Sequence, residues 1–232
     1  MALLGHTARL VVSTENLAAS ADAWHLLGFA VLEESEHAVR LSDGQILVTL
    51  LAEVFESPAF AYFHSDPSKV VAQLNQLGIP VQNLEDGSGV ALQPFGTTDF
   101  YVHAQPSDAA ERHSGGKNDL LGYLDAVCVF VPHVLQARVQ AEELGFFVQE
   151  EWAGGFPRSD VTDGLMTISL QQRDTKPYLS YATELTRSVL EDLHELDGVT
   201  AKTVEINGAV SYVRLTTPEG TQLIINHDHN YE

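Results

Sequence analysis

The chain has 232 residues, of which 44% are hydrophobic, so it holds enough apolar material for one large domain or two smaller ones and is not disordered. Its 12 Lys and Arg against 32 Asp and Glu give a formal net charge of -20. Such a charge repels phosphate groups, which excludes nucleic acids and anionic membranes as favourable partners. The acids are spread over both halves of the chain. That distribution indicates a solvated acidic surface or adaptation to salt, with a cavity for a cationic ligand as the alternative.

The location of the protein is predicted from its apolar runs and its cysteine content. The longest apolar runs, such as 46–52, are far shorter than the ~20 residues of a membrane span. No basic start followed by an apolar stretch marks a secretory signal. The single cysteine, Cys128, cannot form an intrachain disulfide and suits a reducing compartment. We therefore expect a cytoplasmic protein.

Internal repeats organise the chain. Four helix-like segments end in Leu-Gly or a near equivalent, namely Leu27-Gly28, Leu77-Gly78, Leu144-Gly145 and Leu196-Asp197-Gly198. Each is followed by short alternating segments and a turn glycine, namely Gly44, Gly96, Gly164 and Gly220. Both markers recur at roughly 50 residues, with about 16 extra residues between the second and third occurrences. The sequence thus predicts four repeats.

Each repeat has the pattern of a strand, a helix and three strands. In repeat 1, the β-branched run 8–13 precedes a helix cap at 14–16 and a helical stripe that ends at Gly28. Short strands follow at roughly 30–34, 38–41 and 46–51, with a Ser-Asp-Gly turn between the last two. The later repeats follow the same order.

Pairing of the repeats is predicted from what a single one leaves exposed. One repeat covers only one face of its sheet with a helix, so two repeats are expected to enclose a cleft between curved sheets. Residues 107–118 are small and polar and are predicted to be a linker. We expect an α+β protein with a first domain at 1–106 and a second at 119–232, each built from two repeats.

This pattern resembles the vicinal oxygen chelate superfamily, which includes glyoxalase I, bleomycin-resistance proteins, fosfomycin-resistance enzymes and extradiol dioxygenases. The segments that carry the resemblance are 11–31, 60–81, 124–148 and 216–227. The resemblance implies four βαβββ modules paired into two curved, mixed-sheet, glyoxalase-like domains. Two-module relatives often dimerise to complete their clefts, whereas four modules supply both halves in one chain. We therefore expect a monomer or a homodimer.

The resemblance also implies where a metal would be held. Enzymes of the superfamily usually bind a divalent metal through His, Gln or Glu in the first strand and four residues after the last-turn glycine. The positions after the glycines are Val48, Phe100, Ile168 and Ile224. The first-strand positions are Arg9, Ala59, Ala126 and Pro177, the last replaced by Tyr178 in a shifted register. None is a ligand of the family type, so we expect no metal and no cofactor.

Other catalytic chemistry has little support in the sequence. No Gly-x-Ser-x-Gly elbow and no Gly-rich phosphate loop before a helix occurs. Cys128 lies in an apolar alternating run and is predicted to be a buried strand residue. His64 and His103 are predicted to point away from the cavity face. We expect no catalytic residue.

Ligand-binding candidates follow from the assumption that the metal positions face inward. The inner face would then carry Arg9, Val11, Ala61, Phe63, Phe100 and Val102 in the first half, and Cys128, Phe130, Met166, Ile168, Leu170, Ile224 and Asn226 in the second. Trp152 and Tyr178 are predicted to lie at the entrance of the second half, with Phe156, Arg158 and Tyr181. The binding candidates are Arg9, Phe63, Phe100, Phe130, Trp152, Met166, Tyr178 and Asn226. Arg9 would hold a ligand carboxylate or pair with an internal acid.

These observations favour a metal-independent protein that binds a small planar or cationic molecule, similar to the bleomycin-resistance proteins. One alternative is a metal-dependent lyase or dioxygenase of the same superfamily. Another is a structural or regulatory module whose inner faces are filled by protein side chains.

Overall fold

The computed structural model describes residues 3–95, 98–104, 117–153, 157–172 and 176–228. The repeats have the expected order of a strand, a helix and three strands. Repeats 1 and 2 contain β1 (Thr7–Ser13), α1 (Leu17–Leu26), β2 (Ala30–Glu34), β3 (Ala38–Ser42), β4 (Leu47–Leu51), β5 (Ala59–His64), α2 (Pro67–Gln76), β6 (Gln82–Asn83), β7 (Gly89–Leu92) and β8 (Phe100–Ala104). Repeats 3 and 4 contain β9 (Tyr123–Phe130), α3 (Val134–Glu143), β10 (Phe147–Trp152), β11 (Arg158–Thr162), β12 (Thr167–Gln171), β13 (Tyr178–Thr183), α4 (Arg187–His194), β14 (Thr200–Ile206), β15 (Ala209–Thr216) and β16 (Gln222–His227).

The strands form two eight-stranded mixed sheets. The first has the order β2-β3-β4-β1-β5-β8-β7-β6, and the second has the order β10-β11-β12-β9-β13-β16-β15-β14. Strand β5 runs parallel to β8, β12 to β9 and β13 to β16, whereas consecutive strands such as β3 and β4 pair antiparallel. The predicted α+β class is therefore confirmed. Among the described residues, no helix is both long enough and apolar enough to cross a membrane.

The helices begin and end where the local sequence predicts. The side chains of Asn16 and Asp66 accept hydrogen bonds from the backbone amides of Ala19 and Lys69, which would otherwise be unsatisfied in the first turn of α1 and α2. After α1 the backbone adopts a φ of 87° at Gly28, a left-handed conformation that glycine adopts without strain. Local chemistry thus sets the length of these helices.

In β8 and β16, strand alternation gives one fully buried face and one more open face. In β16, Leu223 and Ile225 are completely buried, whereas Gln222, Ile224 and Asn226 between them are half-buried. Because successive side chains of a strand point to opposite faces, the open face carries the half-buried set. The polar side chains of β16, Gln222 and Asn226, lie on that face.

The contacts of the chain divide it into two compact units. The first consists of Met1–Leu10, Pro58–Arg112 and Val127–Lys176, and the second of Val11–Ser57, His113–Ala126 and Pro177–Glu232. Each unit therefore combines most of one repeat from each half, repeats 2 and 3 in the first and repeats 1 and 4 in the second, while β1 and β9 are each divided between the two units. The domain boundaries at 1–106 and 119–232 stay a prediction, and residues 107–116 of the linker lie outside the described residues.

A partly buried hydrogen bond joins repeats 1 and 4 within the second unit. Asp43 lies in the turn between β3 and β4, where its Oδ1 accepts hydrogen bonds from the amides of Gln45 and Ile46, each at 2.9 Å. The hydroxyl of Tyr181 in β13 donates to Oδ2 of the same carboxylate at 2.7 Å. Burial, and then the charge of Asp43, raise the pKa of Tyr181 well above its usual value. The phenol thus stays protonated and donates to Asp43.

A related arrangement lies in the first unit. Asp163 sits in the turn between β11 and β12 and accepts hydrogen bonds from the amides of Leu165 and Met166 at 2.9 and 3.0 Å. Burial, and then Asp163, raise the pKa of the fully buried Tyr62. Here Tyr62 Oη and Asp163 Oδ2 are buried without a hydrogen-bond partner in the described part of the chain. Among the described residues, the direct hydrogen bond from the tyrosine hydroxyl to the turn aspartate is therefore formed in the second unit, between Tyr181 and Asp43.

Replacing Tyr181 by Phe should destabilise the protein, because it leaves Oδ2 of Asp43 without its buried donor. We expect a loss of about 1–3 kcal/mol in the free energy of unfolding, measured by urea titration. Tyr101→Phe is the control, since the Tyr101 hydroxyl lies 3.5 Å from Asp99 at a half-buried position, and its effect should be smaller.

The same contact predicts a pH dependence. The folded pKa of Tyr181 is raised above the unfolded value of about 10, so its stabilisation is present below pH ~10 and is lost as the pH rises through the folded pKa. The Tyr181→Phe variant should lose less stability above pH ~10 than the parent chain. Equal losses in both, or no coupling between Tyr181→Phe and Asp43→Asn in a double-mutant cycle, would contradict this role.

Candidate functional site

A row of three aromatic side chains lies on the open face of repeat 2. Phe63 in β5 is directly opposite His103 in β8, so both side chains share one face of the sheet. Their rings are 5.6 Å apart at an angle of 26°, and the ring of Tyr101 lies 6.2 Å from that of His103. We refer to Phe63, His103 and Tyr101 as the aromatic row.

One cation stacks on the end of the aromatic row. The guanidinium carbon of Arg9 in β1 lies 4.7 Å from the centre of the Phe63 ring, within the range of a cation–π interaction. The Arg9 side chain is only 8% exposed, so its charge is held in place rather than free in solvent. The structure thus brings together Arg9 and Phe63, two of the predicted binding residues.

Small residues flank the aromatic row. Gly89 and Ala91 of β7 are opposite His103 and Tyr101, and Ala61 of β5 also pairs with Tyr101. A Cβ atom at Gly89 would lie 2.1 Å from the carbonyl oxygen of Val102, so no side chain fits there without a backbone shift. These positions therefore leave the rings without large neighbours from β7.

Burial keeps the polar members of the row uncharged near neutral pH. Burial lowers the pKa of His103, and the nearby Asp86 only partly offsets this. Burial, and then the charge of Asp99, raise the pKa of Tyr101. Asp99 also accepts a hydrogen bond of 2.7 Å from Gln93 Nε2. The row therefore combines neutral rings with one adjacent cation, which suits a planar ligand that carries polar or anionic groups.

The prediction that Phe100 shares an inner face with Phe63 is wrong. Phe100 is opposite Phe60, with the rings stacked 4.6 Å apart, and it is completely buried in the core together with Val102. Because neighbouring residues of a strand point to opposite faces of the sheet, His103 and not Phe100 lies on the same face as Phe63. The prediction that His103 points away from this face is therefore also wrong.

The sequence contains a signal that would have identified His103 and Tyr101. In β8 the apolar residues Phe100 and Val102 alternate with the amphipathic residues Tyr101 and His103. A strand with one buried face normally directs its apolar set to the core. The spacing of four residues after the glycine at position 96 predicts the apolar residue Phe100 instead. Position 96 itself lies outside the described residues.

The predicted inner face of the second half is also divided between two faces. Ile168 and Leu170 are opposite Val127 and Val129, whereas Ser169 and Gln171 are opposite Cys128 and Phe130. The grouping of Ile168 and Leu170 with Cys128 and Phe130 is therefore wrong, for the same reason of strand alternation. Phe130 is half-buried beside Gln171, and its binding role stays a prediction.

The remaining candidates lie in different surroundings. Met166 is 6% exposed, and its backbone amide is held by the Asp163 turn. Trp152 ends β10 opposite Arg158 and is 58% exposed. Tyr181 is completely buried, so it is not an exposed aromatic side chain at an entrance, and residue 156 lies outside the described residues.

Tyr178 and Asn226 lie on the open face of repeat 4. Tyr178 is opposite Gln222, and Ser180 is opposite Ile224, which places Tyr178, Ile224 and Asn226 on one face of the β13–β16 pair. The Asn226 amide donates to Ser180 Oγ at 2.9 Å and to the backbone oxygen of Tyr181 at 3.3 Å. This network holds Asn226 in a defined orientation.

The residues at the family metal positions of the second half do not fit a catalytic divalent metal. Ala126 and Ile224 end in hydrocarbon groups, and Tyr178 contributes a single phenol. A site of this type needs several imidazole or carboxylate ligands. Within the described ranges, no group of three or more His, Cys, Asp or Glu side chains is arranged to hold a metal ion.

Comparisons with known proteins were made by sequence and by structure. No protein-family model matches the chain, and no curated protein matches it by sequence. Solved structures do match. A mutant of homoprotocatechuate 2,3-dioxygenase from Brevibacterium fuscum has a TM-score of 0.62 and 18% identity, covering 97% of this chain and 72% of that enzyme.

Two further enzymes are similar to the same extent. Homoprotocatechuate 2,3-dioxygenase from Arthrobacter globiformis has a TM-score of 0.62 and 20% identity, with 97% and 80% of the two chains covered. A catechol 2,3-dioxygenase has a TM-score of 0.59 and 16% identity, with 97% and 87% covered. At such identities the likeness shows the fold alone, and the chain thus shares the two-sheet fold of these dioxygenases.

Proposed function

We propose that the protein binds a planar small molecule on the aromatic row of repeat 2 without metal-dependent chemistry. The observation that carries this proposal is the alignment of Phe63, His103 and Tyr101 on one half-buried face, with Arg9 stacked at its end. Stacked neutral rings attract a planar ligand, and the guanidinium and the ring-edge polar atoms orient its substituents.

Two features support binding rather than packing alone. Fully buried rings such as Phe60 and Phe100 already fill the core on the opposite side of the sheet, so the row is not needed for that purpose. The row also includes polar groups, and a face intended only for packing would more simply be apolar. A filled structural module, in contrast, would bind no ligand at this face.

A second candidate function is a metal-dependent dioxygenase. The observation that favours it is the structural likeness to homoprotocatechuate and catechol 2,3-dioxygenases. Such an activity would need a donor set other than Ala126, Tyr178 and Ile224, because two of these residues have no donor atom in the side chain. The cytoplasmic location and the state as a monomer or homodimer stay predictions.

Metal analysis separates the two functions. We expect the purified protein to retain no stoichiometric Fe, Mn or Zn after incubation with each metal and desalting, because the hydrocarbon side chains at the family positions cannot coordinate one. Oxygen uptake with catechol or homoprotocatechuate should equal that of a protein-free blank. Stoichiometric metal together with oxygen uptake above the blank would establish the dioxygenase function and reject the first proposal.

Ligand titration tests the aromatic row directly. We expect catechol, homoprotocatechuate or the planar anion benzoate to bind the parent chain, and Phe63→Leu to weaken that binding about threefold to tenfold because a stacking ring is lost. Phe147→Leu is the matched control, since Phe147 is 64% exposed on β10 and should leave the affinity unchanged. Isothermal titration calorimetry gives the dissociation constants. An unchanged affinity in Phe63→Leu, or no binding of any of the three probes, would count against the row as the site.

A further inference from the structure

Two cationic side chains lie next to each other on the open face of repeat 4. In the second sheet, Arg214 of β15 is directly opposite Lys202 of β14 on one side and Ile224 of β16 on the other. Ile224 is in turn opposite Ser180 of β13. Because directly opposite residues share a face, these four side chains form one line across four strands of the second unit.

Among the described residues, no carboxylate lies within ion-pair distance of Arg214. Its Nε is buried and makes no hydrogen bond within the described part of the chain. The other described arginines are all engaged, four with carboxylates and one with a ring, namely Arg40, Arg138, Arg158, Arg187 and Arg9. A buried hydrogen-bond donor without a partner lowers the free energy of unfolding. The Nε of Arg214 therefore destabilises the ligand-free protein.

The neighbouring Lys202 destabilises the position of Arg214 further. Strands in a sheet are about 4.8 Å apart, and like charges directly opposite each other on one face repel. The chain has 32 acidic residues against 12 Lys and Arg, so an arginine with a purely structural role would be expected to pair with a carboxylate. Unfavourable local arrangements of this kind are typical of functional sites, where a ligand completes the interactions.

We infer that Arg214 and Lys202 form an anion site that binds a small organic carboxylate. The planar guanidinium of Arg214 can donate two parallel hydrogen bonds to the two carboxylate oxygens, and the Lys202 ammonium adds a second positive charge. The adjacent Ile224 and Tyr212, which is opposite Asn226, offer contact to the organic part of the ligand. An inorganic anion would make no use of these neighbours, which is why the site favours an organic acid.

The β13 end of this line of side chains, at Ser180, determines where the carboxylate of the ligand binds. The Ser180 hydroxyl donates to Oδ2 of Asp125 at 3.4 Å, so a negative charge is present beyond β13. Asp125 repels an anion, and the ligand carboxylate is therefore placed toward β14 and β15. All of these residues belong to the second compact unit, whereas the aromatic row belongs to the first, so the anion site does not depend on the proposed function.

The test uses butanoate, which has a carboxylate and no ring that could stack on the aromatic row. Titrations of the full chain with butanoate, 1-butanol and inorganic phosphate are compared at equal ionic strength, set with sodium chloride. The variants are Arg214→Gln and Lys202→Gln. Arg187→Gln is the matched control, because Arg187 is 93% exposed and pairs only with Glu191 on the same helix.

We expect butanoate to bind and to raise the melting temperature, and 1-butanol to do neither. Arg214→Gln should weaken butanoate binding about tenfold or more, Lys202→Gln should weaken it less, and Arg187→Gln should not change it. Phe63→Leu should also leave butanoate binding unchanged, which separates this site from the aromatic row. Binding retained in Arg214→Gln, no binding to the parent chain, or tighter binding of phosphate than of butanoate would each overturn the inference.

The ligand-free variant provides an independent readout. Removing the positive charge of Arg214 relieves its repulsion with Lys202, so ligand-free Arg214→Gln should melt at the same temperature as the parent chain or at a higher one. A lower melting temperature would indicate that Arg214 has a structural role, and it would contradict the assignment as a binding residue.

Discussion

The two-residue alternation of side chains along each strand is the constraint on which the candidate sites depend. A shift of one residue in the pairing of β8 would replace His103 and Tyr101 by Phe100 and Val102 on the face beside Phe63. The observed register buries Phe100 in the core and places His103 and Tyr101 on the open face. The chemistry of the aromatic row is thus a consequence of strand pairing as much as of residue type.

The same constraint acts together with the turns that join the repeats. The Asp43 turn is held by its own backbone amides and then accepts the Tyr181 hydroxyl from the opposite half of the sequence. A short local motif in repeat 1 therefore contributes to the contacts that unite repeats 1 and 4 in one compact unit. Internal repetition explains why a similar aspartate, Asp163, lies near Tyr62 in the other unit.

The fold of this protein does not by itself determine the chemistry of its sites. The two-sheet architecture is that of extradiol dioxygenases, whereas Ala126 and Ile224 lack the donor atoms that a metal needs. One fold can support unrelated activities because function depends on the side chains placed on it. Here the open faces carry an aromatic row in one unit and two adjacent cations in the other, and both arrangements suit the binding of small organic molecules.

The sequence by itself determined the four repeats, the α+β class, the positions of the helices and the hydrocarbon side chains at the metal positions. These features are local, since they depend on residue spacing, on caps such as Asn16 and on glycines such as Gly28. Only the tertiary structure decided which repeats share a compact unit, which face His103 occupies and that, among the described residues, the buried Nε of Arg214 has no hydrogen-bond partner. The reason is physical: strand partners are distant in the chain, and their register decides which side chains meet, so short-range patterns do not specify those contacts.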